Sequence, residues 1–264
     1  MDDRCSSVFE ADSPLVTRLH QAVNVEPRRN GLTPTILLMH YTGMACVERA
    51  IYWLSCEESK VSCHYVIDEA GGVTQLVSEA ERAWHAGQSY WSGLTDVNSA
   101  SIGIEIHNRG HNDGYDDFPA EQMNAVLALS QDILRRNNIP PQRVLAHSDI
   151  APGRKIDPGE KFDWRWLHEN GVGHWVEPEP VIETELGYDL GTANDEILET
   201  QEKLQLYGYG LQVTGVFDED TKRIVTAFQR HFRPMRLDGR IDRSTILTLD
   251  RLIAALQNEP HVVG

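Results

Sequence analysis

The stretch AHSDIAPGRKIDPG, residues 146–159, sets His147, Lys155 and Asp157 on a frame of prolines and glycines. Glycine and proline break helices and strands, so the stretch reads as a rigid loop. A second histidine, His40, closes the apolar run TPTILLMH (33–40), and His147 closes the short run RVLAH (143–147). Strand ends that feed loops are where sites form in α/β domains. Two imidazoles and one carboxylate suit catalytic zinc, with a fourth position left for water. Singly, each histidine caps or packs as readily as it binds a metal. The position of the trio at two strand ends and one braced loop favours zinc.

Glu105 adds a second element of chemistry. In SIGIEIH (101–107), Ile102, Ile104 and Ile106 face one way, and Gly103, Glu105 and His107 face the other. A carboxylate in mid-strand among isoleucines is either on the exposed face of a sheet, in a structural ion pair, or a general base whose raised pKa suits that task. Lys155, two residues before Asp157, either makes a loop salt bridge or faces the oxyanion of a tetrahedral intermediate. His107 is a competing ligand candidate and ranks below the other two histidines. Asp149, the remaining acid of the loop, reads as a cap. The run RAWHAGQSYW (82–91) carries Trp84, His85, Tyr90 and Trp91. Such aromatics recognise sugar or peptide when exposed; for Trp84 the core is the simpler reading.

These residues need elements to position them. Residues 33–40 read as a buried strand, and the next segment as a helix with Val47, Ala50, Ile51 and Leu54 on one face. SCHYVID (62–68), SIGIEIH and RVLAH read as further strands. Residues 119–138 form the clearest helix, with Pro119 at its start, a stripe of Met123, Val126, Leu127, Ile133 and Leu134, and Pro140 and Pro141 as a stop. The expectation is an α/β domain with a mixed central sheet flanked by helices. Residues 173–193 lack a sustained period and read as a linker or wrapped connection. Residues 194–258 read as three short helices with a weak internal repeat. Gly215, Phe217, Asp218 and Thr221 match Gly239, Ile241, Asp242 and Thr245. Glycine permits the tight turn, the apolar residue plugs the core, and aspartate caps the next helix.

The 264-residue chain has a net charge of −16, which argues against nucleic acid and anionic lipid as partners. No apolar run approaches the roughly 20 residues of a membrane span. The first residues, MDDRCSSVFEADSPLV, do not read as a signal peptide. Cys5, Cys46, Cys56 and Cys63 show no CxxC spacing, so a thiolate zinc knuckle is not expected. Cys46 and Cys56 fall in an expected helix, and buried free thiols are favoured over disulfides.

In order, LLMHYTG, CHYVID, RAWHAGQS, SIGIEIHN and AHSDIAPGRKIDPG resemble the motifs of the zinc-dependent N-acetylmuramoyl-L-alanine amidases of type 2. The resemblance covers roughly residues 32–170, and residues 194–256 resemble a peptidoglycan-binding domain. It implies an amidase and peptidoglycan-recognition type of sheet. It divides the chain into an N-terminal extension (1–31), a catalytic domain (32–172), a linker (173–193) and a three-helix domain (194–258). It implies one zinc ion on His40, His147 and Asp157, Glu105 as general base and Lys155 as oxyanion stabiliser. His64, Trp84, His85 and Asn108 match positions that line the cleft. Cys63 departs from the small residue or tyrosine often found before the strand histidine. The implied reaction is hydrolysis of the amide between N-acetylmuramic acid and L-alanine, in wall turnover or recycling. The implied partners are peptidoglycan or muropeptides, in the periplasm or outside the cell. The alternatives are a non-catalytic peptidoglycan receptor and a zinc peptidase cutting within the stem peptide.

Overall fold

A computed structural model describes residues 9–258. Cys5 and residues 1–8 of the stretch read for a leader lie outside them. Eight strands and eight α-helices follow in chain order among the described residues. A six-stranded sheet has the order β1 (Arg18–Leu19), β5 (Val73–Gln75), β4 (Tyr65–Ile67), β7 (Ser101–Ile106), β3 (Ile36–Tyr41), β8 (Val144–Ala146). Its centre is parallel, β3 with β7 and β7 with β4, and the β4–β5 pair is antiparallel, which makes the sheet mixed. The isoleucines and leucines of β3 and β7 are fully buried, as expected of strands covered on both faces. A small second sheet pairs β2 (Val25–Pro27) with β6 (Glu81–Ala83). Residues 18–27 thus supply strands of two and three residues, too short to show a period in the sequence.

By its contacts the chain divides into two compact units. The first comprises residues 1–87 and 98–139, and the second residues 88–97 and 140–264. In the first, α1 (Val47–Ser55) buries Ala50, Ile51 and Leu54. Ile51 and Leu54 join a core cluster with Cys63, Val66, Leu76 and Ala83. Cys46 and Cys56 lie just outside α1 as its two caps, exposed and half-buried. Only Cys63 of the described cysteines is a buried thiol, which corrects the expectation for the other two. The long helix α3 (Ala120–Asn137) starts one residue after Pro119 and ends on Asn138 in the left-handed region.

In the second unit, α6 (Asp195–Tyr207), α7 (Glu219–Phe232) and α8 (Arg243–Asn258) form the expected three helices. Phe217 and Ile241 are buried plugs, and Asp218 and Asp242 accept the backbone N–H of Thr221 and Thr245 at 2.8 and 2.7 Å. Gly215 and Gly239 turn the chain at φ of +72° and +68°. The repeat has one further member that the loop motifs did not reveal. Gln201 Oε1 accepts the N–H of Gly215, and Gln229 Oε1 that of Gly239, both at 2.8 Å. Their amide nitrogens reach Thr221 and Thr245. Each glutamine therefore ties its helix to the following turn. Residues 173–193 wrap onto α8, where the Glu179 N–H donates to Thr248 and Ser244 donates to the Glu179 carbonyl.

Candidate metal centre

The first unit carries His40 and Glu105 on neighbouring parallel strands. His40 is aligned with Glu105, and Leu38 with Gly103. Aligned residues of paired strands leave the same face of a sheet, so the imidazole and the carboxylate emerge side by side. His40 is 1% exposed, whereas Glu105 is only half-buried. His85 holds the histidine: its Nδ1 lies 2.9 Å from His40 Nε2, and its Nε2 lies 3.3 Å from the Ser101 hydroxyl. The two rings meet edge to face. Gly103 makes this possible, because a Cβ there would sit 2.5 Å from His85 Nδ1 and 2.9 Å from Cys63 Sγ. The glycine inside an otherwise alternating strand was the signal for this close approach.

The second unit carries the other two donors. Residues 147–150 form one helical turn, α4, rather than the irregular loop expected for the whole of 146–159. The turn is stabilised by Asp149, whose Oδ2 accepts the Ala146 N–H at 2.8 Å. This is the capping role read for it. Prolines and glycines confine the irregular backbone to the segment after the turn. His147 opens the turn, and its Nδ1 lies 3.0 Å from Asp157 Oδ2. The Ser148 N–H donates to the Asp157 carbonyl at 3.1 Å, which fixes the two ends of the loop together. Lys155 is half-buried, and its N–H donates to the Ala151 carbonyl. Among the described residues its ammonium has no ion-pair partner.

The donor atoms of His40, His147 and Asp157 all lie within 4.8 Å of one another, and all three side chains are buried. Two imidazoles and a carboxylate drawn together at this spacing fit a tetrahedral divalent metal with one open position. His107 is not part of this group. Its Nε2 pairs with Glu69 at 3.1 Å and its Nδ1 meets the Thr42 hydroxyl at 3.1 Å.

The four positions matched to cleft contacts are placed as follows. His64 is wholly enclosed, accepting the Gly103 N–H at Nδ1 and facing the Glu81 carbonyl and Arg28 with Nε2. Burial, aided by the Arg28 charge, lowers its pKa to about 3 and keeps the ring neutral. In this arrangement His64 offers a substrate no surface, and it supports the strand instead. His85, 8% exposed, is committed to His40. Asn108 is 6% exposed and braces the following loop, donating to the Asp116 carbonyl and accepting the Gly110 N–H. Trp84 is half-buried, and its Nε1 is enclosed without an acceptor among the described residues.

The family model described as N-acetylmuramoyl-L-alanine amidase matches residues 30–160. A second, described as "Putative peptidoglycan binding domain", matches residues 193–249. The chain is 35% identical over 233 residues to N-acetylmuramoyl-L-alanine amidase AmiD of Escherichia coli K12, covering 83% of this chain and 82% of the relative. The chain belongs to the N-acetylmuramoyl-L-alanine amidase family. Within that family it is similar to solved structures that hold anhydromuropeptide ligands. The structure of E. coli AmiD with the substrate anhydro-N-acetylmuramic acid-L-Ala-D-gamma-Glu-L-Lys matches with a TM-score of 0.71 and 33% identity. That match covers 89% of this chain and 93% of that one. AmpDh3 from Pseudomonas aeruginosa, in complex with anhydromuramic pentapeptide, matches with a TM-score of 0.71 and 30% identity, covering 97% and 98%.

Proposed function

We propose that the chain is a zinc-dependent amidase that hydrolyses the bond between the lactyl carbonyl of N-acetylmuramic acid and the amine of L-alanine. The observation that carries this reading is the convergence of His40, His147 and Asp157 with Glu105 aligned beside His40. The ligands of the related AmiD and AmpDh3 structures, both anhydromuropeptides, support the substrate class. With Nε2 held by His85, Nδ1 is the nitrogen that His40 would offer to zinc. Zinc, when bound, supplies Lewis acidity that acidifies water and polarises a carbonyl at neutral pH.

The chain's own residues do the rest. A Glu105 carboxylate oxygen takes a proton from the attacking water as the water oxygen bonds to the lactyl carbon. The Lys155 ammonium offsets the charge that develops on the carbonyl oxygen. Glu105 then returns the proton to the alanine nitrogen as the C–N bond breaks, leaving a lactyl carboxylate and a free peptide amine. Residues 194–258 hold wall polymer, and the enzyme acts where that polymer lies, in the periplasm or outside the cell. No helix among the described residues is long and apolar enough to cross a membrane.

The test is metal content of the purified protein together with mass spectrometry of its products from sacculi and from soluble anhydromuropeptides. One zinc per chain and stem peptides beginning at L-alanine are expected. Shortened peptides still joined to muramic acid would reject the amidase in favour of a peptidase, and intact substrate with a metal-loaded protein would reject the enzyme.

A further inference from the structure

Asp149 is 1% exposed, and both of its oxygens are occupied. Oδ2 accepts the Ala146 N–H at 2.8 Å and meets His231 Nδ1 at 2.7 Å. Oδ1 accepts the Tyr209 hydroxyl at 2.7 Å. A carboxylate buried this deeply is tolerated only when its lone pairs are satisfied. Two of its three partners come from the helical module, Tyr209 from just after α6 and His231 from α7.

Both partners are themselves fixed. His231 is 2% exposed and stacks on Trp164 and Phe232, with ring centres 3.9 and 3.8 Å away. Tyr209 is fully buried against Trp91 at 4.9 Å, and burial beside Asp149 pushes its hydroxyl pKa well up, so it stays a donor. A second connection runs alongside. The Tyr90 N–H donates to the Ile150 carbonyl, and the Ser92 N–H to that of Gly208. The segment 90–92 therefore ties the end of the α4 turn to the end of α6. The segments 88–97 and 140–264 fall in one compact unit.

We propose that the helical module is a structural part of the metal centre, with Tyr209 and His231 as positioning residues that clamp Asp149 and thereby the turn that presents His147. The chain of cause is short. His147 is the first residue of a four-residue turn, too short to hold its own shape, since a single helical turn fixes several dihedrals for one hydrogen bond. Asp149 is its cap, and the module determines where the cap sits. The module thus sets the bearing of one ligand in addition to any polymer it holds. Loss of a group that hydrogen-bonds a metal ligand directly typically costs about 10–100-fold in affinity, and Tyr209 and His231 act further out, through Asp149 and the turn it caps.

This inference rests on the zinc reading, and its test separates the two. Zinc dissociation constants are measured by chelator competition on the full chain, well below each variant's melting temperature, for wild type, Tyr209→Phe, His231→Ala, His231→Gln and Leu249→Ala. The cobalt(II) spectrum of each reports ligand geometry. Tyr209→Phe and His231→Ala are expected to bind zinc about 3–10-fold more weakly, less than the loss of a direct partner of a ligand would cost, and to shift the cobalt bands. His231→Gln, which keeps an N–H donor, is expected to recover part of the loss. Leu249 is buried in α8 and is not among the hydrogen-bond partners of Asp149, so Leu249→Ala lowers the melting temperature but leaves zinc affinity at the wild-type value. Wild-type affinity and spectrum in both Tyr209→Phe and His231→Ala would overturn the clamp. A wild-type protein that binds no zinc would instead overturn the metal reading beneath it.

Discussion

Gly103 and His85 are fitted to each other: the imidazole of His85 occupies the space that a side chain at 103 would need. Glycine there has nothing to do with a turn; it sits in the middle of β7. Gly103→Ala forces His85 and Cys63 aside and so releases His40. Overpacking costs about 1–3 kcal/mol of stability. The more telling loss is in the metal, where zinc affinity is expected to fall roughly 10–100-fold. Competition titration with a chelator measures it, and an unchanged affinity would show that His85 does not orient His40.

Glu105 tests the chemistry apart from the metal. Glu105→Gln keeps size and strand position but cannot accept a proton. Zinc content is expected to remain at the wild-type level while kcat falls by about 10²–10⁴. Near-normal turnover in this variant would mean that another group is the base.

Lys155 is predicted to act on the transition state rather than on binding. Lys155→Met retains the aliphatic stem and removes the charge. The expectation is a fall in kcat of about 10²–10³ with little change in KM or in zinc content. A rise in KM at constant kcat would reassign Lys155 to substrate binding.

What the sequence made legible divides by distance along the chain. The strand ends at His40 and His147, the mid-strand Glu105 and the repeat Gly-x-apolar-Asp-x-x-Thr were readable because each is a local pattern. The supports were not. His85 meets His40 across 45 residues, and Asp149 meets Tyr209 and His231 across 60 and 82. Local sequence shows that Asp149 caps a turn; its long-range partners appear only when the helices fold back. The helical turn at 147–150 was hidden for a related reason, because four residues followed by Pro152 and Gly153 carry no periodicity.

The two repeat aspartates are predicted to differ in worth. Asp218 caps α7 at a half-buried position, and Asp218→Ala should cost about 1 kcal/mol. Asp242 caps the next helix and also pairs with Arg233, at 3.3 Å, and with Arg236. Burial opposes its ionisation, but the Thr245 N–H and hydroxyl and the two guanidinium groups outweigh this and lower its pKa. Arg233 is fully buried, so Asp242→Ala strands a charge and should cost about 3–5 kcal/mol. Equal losses in urea denaturation would contradict the distinction.

His174 is predicted to shape the acid limit of stability. It is 4% exposed, its Nδ1 lies 2.7 Å from the Tyr207 hydroxyl, and its Nε2 has no partner among the described residues. Burial, followed by the nearby His168 and His231, lowers its pKa from 6.5 to about 4. Between those two values the unfolded chain holds a proton that the folded chain does not. Stability therefore falls as the pH drops through 6.5 towards 4 and stops falling on this account below 4. The full effect is on the order of 3 kcal/mol. His174→Gln keeps a partner for Tyr207 and removes the titration, so the difference in unfolding free energy between variant and wild type should shift in the variant's favour from pH 7 to pH 4.5. Other histidines are common to both proteins and cancel in that difference. A difference that stays constant over the range would show that His174 is protonated as readily in the fold as out of it.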